Sequence, residues 1–505
     1  MGLTGKVYLV GAGPGDAGLL TMRGAELLRR ADVVVYDSLV NRELLALAPE
    51  AAEVIFGGKR PRDRAIPQEE LNRLLAEKAA AGKTVVRLKG GDPYIFGRGG
   101  EEAAGLHRDG VPFEVVPGIS SIIAAPSYAG IPLTHRDHCS SFTVITGHED
   151  PAKEESALDW ERIAREPGTK VFLMGVERIG KIAAALEANG LDAGTPVAMV
   201  RWGTMGRQKT ITGTLATIAD EVAMADFKAP AVTIIGGVST LRDTLNWFEN
   251  RPLFGQRVVV TRTRNQASRL SGQLRDLGAD VLEIPTIKIV PPGSNEPIVE
   301  AVTGIGSYDW IVFTSPNGVE HFFDYFFKAF RDVRDLGCVR FAAVGPATAK
   351  KLGELHLHID LMPEVYTAEA TAKALLDHQN VENISVLLAR AEEANSELPR
   401  MLEDRGAIVD DVAFYKTIPE TEDRNGAAED FEENGADWIT FASSSAVKNF
   451  DARFNLAKRC EDNPKLKLAS IGPETTKALK ELGLKPTAKA RDHTIDGLAA
   501  ALLKK

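Results

Sequence analysis

The sequence predicts an α/β protein built as two consecutive halves, each folded as two lobes. Three observations carry this expectation. Short β-rich runs repeatedly end in glycine or hydroxyl turns that open helical stretches, the pattern of strand–turn–helix units. A second series of such strands, at 142–146, 170–174, 196–200 and 231–235, gives the first half a second lobe and a cleft between the two. In the second half, Trp310-Ile311-Val312-Phe313 before Thr314-Ser315-Pro316-Asn317-Gly318 is echoed by Trp438-Ile439-Thr440-Phe441 before Ala442-Ser443-Ser444-Ser445. Likewise Ala343-Val344-Gly345-Pro346-Ala347-Thr348 is echoed by Ser470-Ile471-Gly472-Pro473-Glu474-Thr475, so this half also holds two similar lobes.

The chain has 505 residues, more than one typical domain holds; the length fits about three to four compact units. Its 44% apolar and 26% charged residues are an ordinary soluble composition. A net charge of −10 argues against general nucleic-acid binding, which needs a basic face, but leaves room for a local basic pocket. No apolar run approaches the roughly 18 residues that span a membrane. The opening MGLTGKVYLVGAGPGD lacks the layout of a secretory leader, because its apolar run passes straight into a glycine loop. Cys139, Cys338 and Cys460 are far apart and form no C-x-x-C pair, which points to a reducing cytoplasm.

Taken in order, Val7-Tyr8-Leu9-Val10 is a strand ending in Gly11-Ala12-Gly13-Pro14-Gly15-Asp16, followed by a helix through Leu28. A dinucleotide fingerprint would need glycine where Asp16 stands, and Pro14 removes a donor that a phosphate cradle would use, so NAD is rejected. Gly82-Lys83-Thr84 is no P-loop, since Glu77 occupies the leading glycine position. The strand Val33-Val34-Val35-Tyr36 delivers Asp37 at its carboxyl end, where ligands bind in open α/β sheets. Lys59 then leads into Arg60, Arg62 and Arg64, a run that is either a solvated face or an anion site.

The first half turns on the stretch RLKGGDPYIFGRGGEE, residues 87–102. Gly90 and Gly91 permit positive φ and close approach of backbone to a ligand, Asp92 offers an acceptor, and Glu101-Glu102 suit the first turn of a helix. His135, Arg136, Asp137 and His138 crowd one later loop; histidines in loops are mostly non-ligands, and no metal is expected.

The motifs GAGPGD, VYDSLV, GGDPYIFGRGGEE, VPGISS, AGIPLTHRD, TGH, VFLMGV and RWGT, in this order, resemble the tetrapyrrole methyltransferases, and within them the uroporphyrinogen-III C-methyltransferases. The resemblance covers about residues 4–245. It implies two α/β lobes with S-adenosyl-L-methionine between them and without a Rossmann fingerprint. Carried over residue by residue, it implies donor contacts at Pro14, Gly90, Gly91, Asp92, Ile95, Ser120, Ser121, Met174 and Gly203. The family often has threonine and alanine where Ser120 and Ser121 stand. The resemblance further implies that Asp37 is a proton acceptor and Lys59 a proton donor, although Lys59 as a propionate-binding cation stays open. Arg60, Arg62 and Arg64 would meet substrate carboxylates. It also implies a homodimer through this half.

Asn250 to Gly255 reads as a linker, with domains at 1–246 and 256–505. Strand 257–262 and a helix over 266–277 restart the α/β pattern. Hydroxyls at the strand ends, Ser315 among them, serve either to hold carboxylates or to cap helices. Arg262, Arg264 and Arg390 also stand at strand ends. The order RPLFGQRVVVTR, FTSPNGV, AVGPAT, LLARAEEANSELPRML, VAFYKT, FASSSAV and SIGPETTKAL resembles uroporphyrinogen-III synthase over about 252–505. That resemblance implies an outer lobe of about 256–288 plus 418–505, an inserted lobe of about 289–417, and a two-stranded connector. Gly318, often alanine in the family, and Ser444-Ser445 depart from it. Tyr415 matches the family's most discussed tyrosine and is the catalytic candidate of this half, Thr475 or Thr476 matches a hydroxyl of its cleft, and Arg262, Ser315 and Thr475 become substrate contacts.

Together the resemblances imply a bifunctional cytoplasmic enzyme. It would cyclise hydroxymethylbilane to uroporphyrinogen III and methylate that product twice to precorrin-2, for sirohaem or cobalamin-type tetrapyrroles. The alternative is a methyltransferase for a later corrin intermediate, joined to a non-catalytic tetrapyrrole-binding half.

Overall fold

Five parallel strands open the fold: β1 (Lys6–Gly11), β2 (Val33–Tyr36), β3 (Glu53–Phe56), β4 (Thr84–Lys89) and β5 (Phe113–Val116), ordered β3-β2-β4-β1-β5. All four residues of β2 are buried, as expected of a parallel strand covered on both faces. The computed structural model describes residues 5–58, 66–148, 158–262 and 264–503, the side chains of 264–268 excepted. Lys59, Arg60, Arg62 and Arg64 lie outside the described residues.

The second lobe is mixed. β6 (Phe142–Thr146), β7 (Thr169–Leu173), β8 (Pro196–Arg201), β9 (Lys209–Thr214) and β10 (Ala231–Ile235) lie in the order β6-β7-β10-β8-β9, with only β6 and β7 parallel. β9, KTITGT, is an edge strand whose residues are half-buried or exposed. Its Gly213 and polar residues leave a weak strand signal in the sequence, as protected edges do.

The stretch expected to be a linker is instead packed. Phe248 and Leu253 are each 4% exposed. The rings of Trp247 and Phe248 meet Tyr128 at 4.9 and 4.8 Å, and Phe248 meets Phe254 at 5.5 Å. Trp247 and Phe248, ahead of Pro252, and Phe254 after it form the aromatic packing of this stretch.

The second half contains β11 (Arg257–Val260), β12 (Asp280–Glu283), β13 (Ile287–Val290), β14 (Trp310–Phe313), β15 (Arg340–Ala343), β16 (Ser385–Ala391), β17 (Ile408–Pro419), β18 (Trp438–Phe441), β19 (Lys467–Ser470) and β20 (Ala488–Lys489). One sheet runs β12-β11-β18-β19-β20, all parallel; the other runs β13-β17-β16-β14-β15, with only β13 and β17 antiparallel. Contacts divide the chain into two units, Met1–Ile284 with Glu422–Lys505, and Pro285–Thr421. The inserted lobe is therefore slightly longer than expected at both ends. β13 and β17 pair with each other from Ile287↔Pro419 to Val290↔Lys416, so both connector strands belong to its sheet. Its core gathers Phe313, Phe322, Phe326, Phe341, Phe414 and Tyr415. Among the described residues no helix is long and apolar enough to cross a membrane.

Candidate active site

The glycine loops after β1 and β4 are bonded to each other. Gly13 donates to the Gly91 carbonyl at 3.2 Å, and Gly91 to the Gly13 carbonyl at 2.8 Å. Gly91 has φ +67°, in the left-handed region that glycine tolerates. The loop after β5 closes on the same point, because a Cβ on Gly118 would stand 2.2 Å from the Gly91 oxygen and 2.7 Å from Gly11 Cα. Asp92 locks the arrangement: its Oδ2 accepts from Gly118 N at 3.0 Å and its Oδ1 from Tyr94 N at 2.8 Å. Ser120 is buried and caps the helix Ser121–Tyr128 through Ile122 N at 3.4 Å. Pro14, Gly90, Gly91, Asp92, Ser120 and Ser121 thus lie on three adjoining loops, with Ile95 beside them, its N–H on the Asp92 carbonyl at 3.4 Å.

The second lobe reaches this point at Gly203, where a Cβ would lie 2.5 Å from Ala125 Cβ on that helix. Thr204 Oγ1 accepts from Asp16 N at 2.9 Å, and Asp16 Oδ2 accepts from the Tyr128 hydroxyl at 2.8 Å. Burial, and the Asp16 carboxylate after it, push the Tyr128 phenol well above its ordinary pKa, so it stays a donor. Trp202 and Thr204 have φ of +48° and +73°, and Met174, after β7, has +58°. Such strained non-glycine backbone clusters at functional sites. Met174 is 49% exposed, and no described contact joins it to the other expected donor residues.

Asp37 follows β2 directly, its backbone N–H on the Leu88 carbonyl of β4 at 3.3 Å. Its carboxylate faces Arg87 and Lys89, which are 2% and 3% exposed and share the fully buried Glu102. Sequence reasoning gave Glu102 only a helix-start role and did not single out Arg87 or Lys89. A signal was present: two cations at alternate positions of an otherwise apolar strand require a buried anion. The Asp16–Tyr128–Thr204 link was also missed, since its members are distant in sequence.

In the second half, Tyr415 lies on β17, 6% exposed, and shares a hydrogen bond of 2.9 Å with Ser315 Oγ. The same Oγ caps the helix Pro316–Ala329 by accepting from Gly318 N at 3.0 Å, and His321 stacks on the Tyr415 ring at 5.6 Å. Burial pushes the Tyr415 phenol up, with the Ser315 bond opposing it. Ser315 and Tyr415 are thus brought together, the serine already acting as a cap. Thr475, expected to present its hydroxyl to a cleft, is buried at 3% exposure. With Ala478 and Leu479 it forms the inward face of the helix Pro473–Glu481, while Thr476 bonds Ser470 Oγ at 2.8 Å. Arg262 follows β11 and is part-buried, which lowers its pKa by desolvation. Arg390 is spent on Asp411 and the Asn395 carbonyl. His135 and His138 have ring centroids 5.2 Å apart, and no described group of three potential ligands could hold a metal.

The tetrapyrrole (corrin/porphyrin) methylase family model matches residues 6–219, and the uroporphyrinogen-III synthase HemD model matches residues 268–500. The porphyrin biosynthesis protein HemD of Ruminiclostridium josui is 39% identical over 502 residues, covering 99% of this chain and 98% of that protein. The uroporphyrinogen-III C-methyltransferase of Bacillus subtilis (strain 168) is 45% identical over 332 residues, 66% of this chain and 68% of its own. An S-adenosyl-L-methionine-dependent uroporphyrinogen III methyltransferase of Methanosarcina barkeri is 52% identical over 241 residues, 48% of this chain and 94% of its own. Two family models in series, and one relative matched along nearly its whole length, place this chain in the family that joins a tetrapyrrole methylase to a uroporphyrinogen-III synthase module.

Proposed function

We propose that the second half cyclises hydroxymethylbilane to uroporphyrinogen III and that the first half methylates this product twice to precorrin-2, with S-adenosyl-L-methionine as donor. The observation that carries the reading is the Gly13–Gly91 bridge, which sets bare backbone from two loops beside Asp92, one strand away from Asp37. The relatives' names give it chemical content.

The residues present fit the donor. A glycine-lined loop pair admits close backbone approach, and Ile95 and Met174 offer exposed apolar surface at 38% and 49%. Bound there, S-adenosyl-L-methionine supplies an electrophilic methyl on a sulfonium. The chain's own task is orientation and proton management. Each methyl gained by a ring carbon is balanced by a proton lost or moved within the macrocycle, and Asp37 Oδ2 is the acceptor assigned to it. Lys59 serves as proton donor or as a propionate anchor, and Arg60 and Arg62 take further carboxylates.

In the second half, loss of the terminal hydroxyl and a proton, together water, leaves an electrophilic azafulvene. Ring closure then inverts the last pyrrole, and folding the substrate is the main demand. Ser315 and Arg262 are assigned to contact it, with Tyr415, hydrogen-bonded to Ser315, as the catalytic candidate; Thr475, assigned to the same cleft, is 3% exposed. The module boundary falls within 247–255, the assembly is a homodimer through the first half, and the compartment is the cytoplasm.

Full-length protein given hydroxymethylbilane without methyl donor is expected to yield, after oxidation, isomer III in excess over the spontaneous isomer I. Adding S-adenosyl-L-methionine then diverts the product to a species heavier by two methyl groups. Isomer I alone would overturn the cyclase assignment. Unmethylated product from supplied uroporphyrinogen III would overturn the methyltransferase assignment.

A further inference from the structure

Four charged side chains meet at the carboxyl ends of β2 and β4, and three of them are buried. Arg87, Lys89 and Glu102 are 2%, 3% and 0% exposed, whereas the Asp37 side chain is 27% exposed. Arg87 and Lys89 are two residues apart on β4, so both leave the sheet on one face. Glu102 comes from the first turn of the helix Gly99–Arg108, which follows the glycine loop. Its Oε1 accepts from Lys89 Nζ at 2.8 Å, from Arg87 Nε and Nη2 at 3.3 Å each, and from Gln68 Nε2 at 3.3 Å. Its Oε2 accepts nothing among the described residues. Arg87 Nη2 also donates to Asp37 Oδ1 at 2.5 Å, and Lys89 Nζ stands 3.8 Å from Asp37 Oδ2. Arg87 Nη1 reaches the Val35 and Leu88 carbonyls, both at 3.4 Å.

Two cations buried side by side repel, and each needs an anion close by. Asp37 supplies one negative charge from the rim; Glu102 supplies the other from inside, and the four charges sum to zero. Because one Glu102 oxygen takes both cations, neither can swing without leaving it. Each Asp37 oxygen therefore faces its own cation, held from behind.

We propose that Glu102 is a positioning residue for methyl transfer: through Arg87 and Lys89 it fixes the Asp37 carboxylate at the edge of the sheet. This rests on Asp37 being the proton acceptor. If the cluster only fastened the helix to the sheet, its loss would weaken the fold without reference to Asp37.

The test is a double-mutant cycle in the full-length protein with uroporphyrinogen III and S-adenosyl-L-methionine, comparing Glu102→Gln, Asp37→Asn and both together. Glu102→Gln is expected to lower kcat about 10- to 100-fold, the scale of a misplaced reacting group, with the KM for donor unchanged. In the Asp37→Asn background the same substitution is expected to add no further loss, because the group it positions is gone. Losses that multiply in the double variant, or a normal kcat for Glu102→Gln beside a crippled Asp37→Asn, would overturn the proposal alone. Full activity in Asp37→Asn would instead sink the reading of Asp37. If Glu102→Gln does not fold, Lys89→Met with Glu102→Gln removes one charge of each sign and enters the cycle under the same criteria.

Discussion

The backbone N–H of Gly255 donates to the carbonyl oxygen of Gly206 at 3.0 Å, tying the start of the second half to the loop that carries Gly203 and Thr204. Gly206 is pressed against the chain entering β12: a Cβ there would lie 2.2 Å from Asp280 N and 2.3 Å from Ala279 C. Both are backbone atoms and cannot swing aside. Gly206→Ala is therefore expected to lower the thermal midpoint, at a cost of about 1–3 kcal/mol for overpacking. An unchanged midpoint in calorimetry would mean that this contact does not hold the two segments together.

A second link across the same seam is electrostatic. Arg275 Nη2 lies 2.7 Å from Glu43 Oε1 and 3.1 Å from Glu283 Oε1. Removing the cation leaves two carboxylates facing each other, so Arg275→Met is expected to cost about 1–3 kcal/mol, less than a fully buried pair because all three groups keep some solvent.

The pH dependence of that link follows from Glu43. Burial pushes its carboxyl above the ordinary 4.5, against the pull of Arg275. A raised carboxyl contributes stability below its unfolded pKa and loses it as pH rises through the folded one. Glu43→Gln is neutral throughout. Its thermal midpoint is expected to gain on the wild type as pH rises from 4 towards 7, measured at fixed ionic strength. A gap that moves the other way would show that the attraction of Arg275 outweighs burial.

Much of this arrangement was legible in the sequence, because strand, turn and helix signals are local. The β-rich runs, the glycine loops and Tyr415 on the returning strand all lie where local patterning puts them. What the sequence concealed depends on partners far along the chain. Glu102 looked like a helix-start acid, and only β4 beside it reveals two buried cations. The stretch 247–255 looked like a linker until Tyr128 supplied the surface for Trp247 and Phe248. Thr475 is polar by composition and buried by its place on the helix face shared with Ala478 and Leu479.

The cysteines offer a separate check on packing. Cys338 is exposed, whereas Cys460 is part-buried with its thiol pushed up by desolvation. Thiolate is the reactive form, so a raised pKa and restricted access both slow Cys460. Titration of native protein with a disulfide reagent near pH 8 is expected to label Cys338 first and Cys460 only slowly, the two rates converging on unfolding. Fast labelling of Cys460 in the native protein would contradict its placement against the core of its lobe.

The glycine loops give the sharpest contrast for the donor site. A Cβ on Gly118 would meet three backbone atoms, Gly91 O at 2.2 Å, Gly11 Cα at 2.7 Å and Gly11 C at 2.9 Å, so Gly118→Ala must spread the loops after β1, β4 and β5. Gly100, on the helix Gly99–Arg108 that follows the loop after β4, has nothing within 4 Å of its Cβ direction. Alanine is the better helix former there by about 0.5–1 kcal/mol. Titration calorimetry with S-adenosyl-L-homocysteine is expected to show at least about a 10-fold loss of affinity for Gly118→Ala, the effect of displacing groups that must meet the ligand together. Gly100→Ala is expected to bind as the wild type does and to melt slightly higher. Equal affinity in both variants would remove the three loops from the donor site, whereas equal loss in both would point to a general disturbance of the first lobe rather than to the loops themselves.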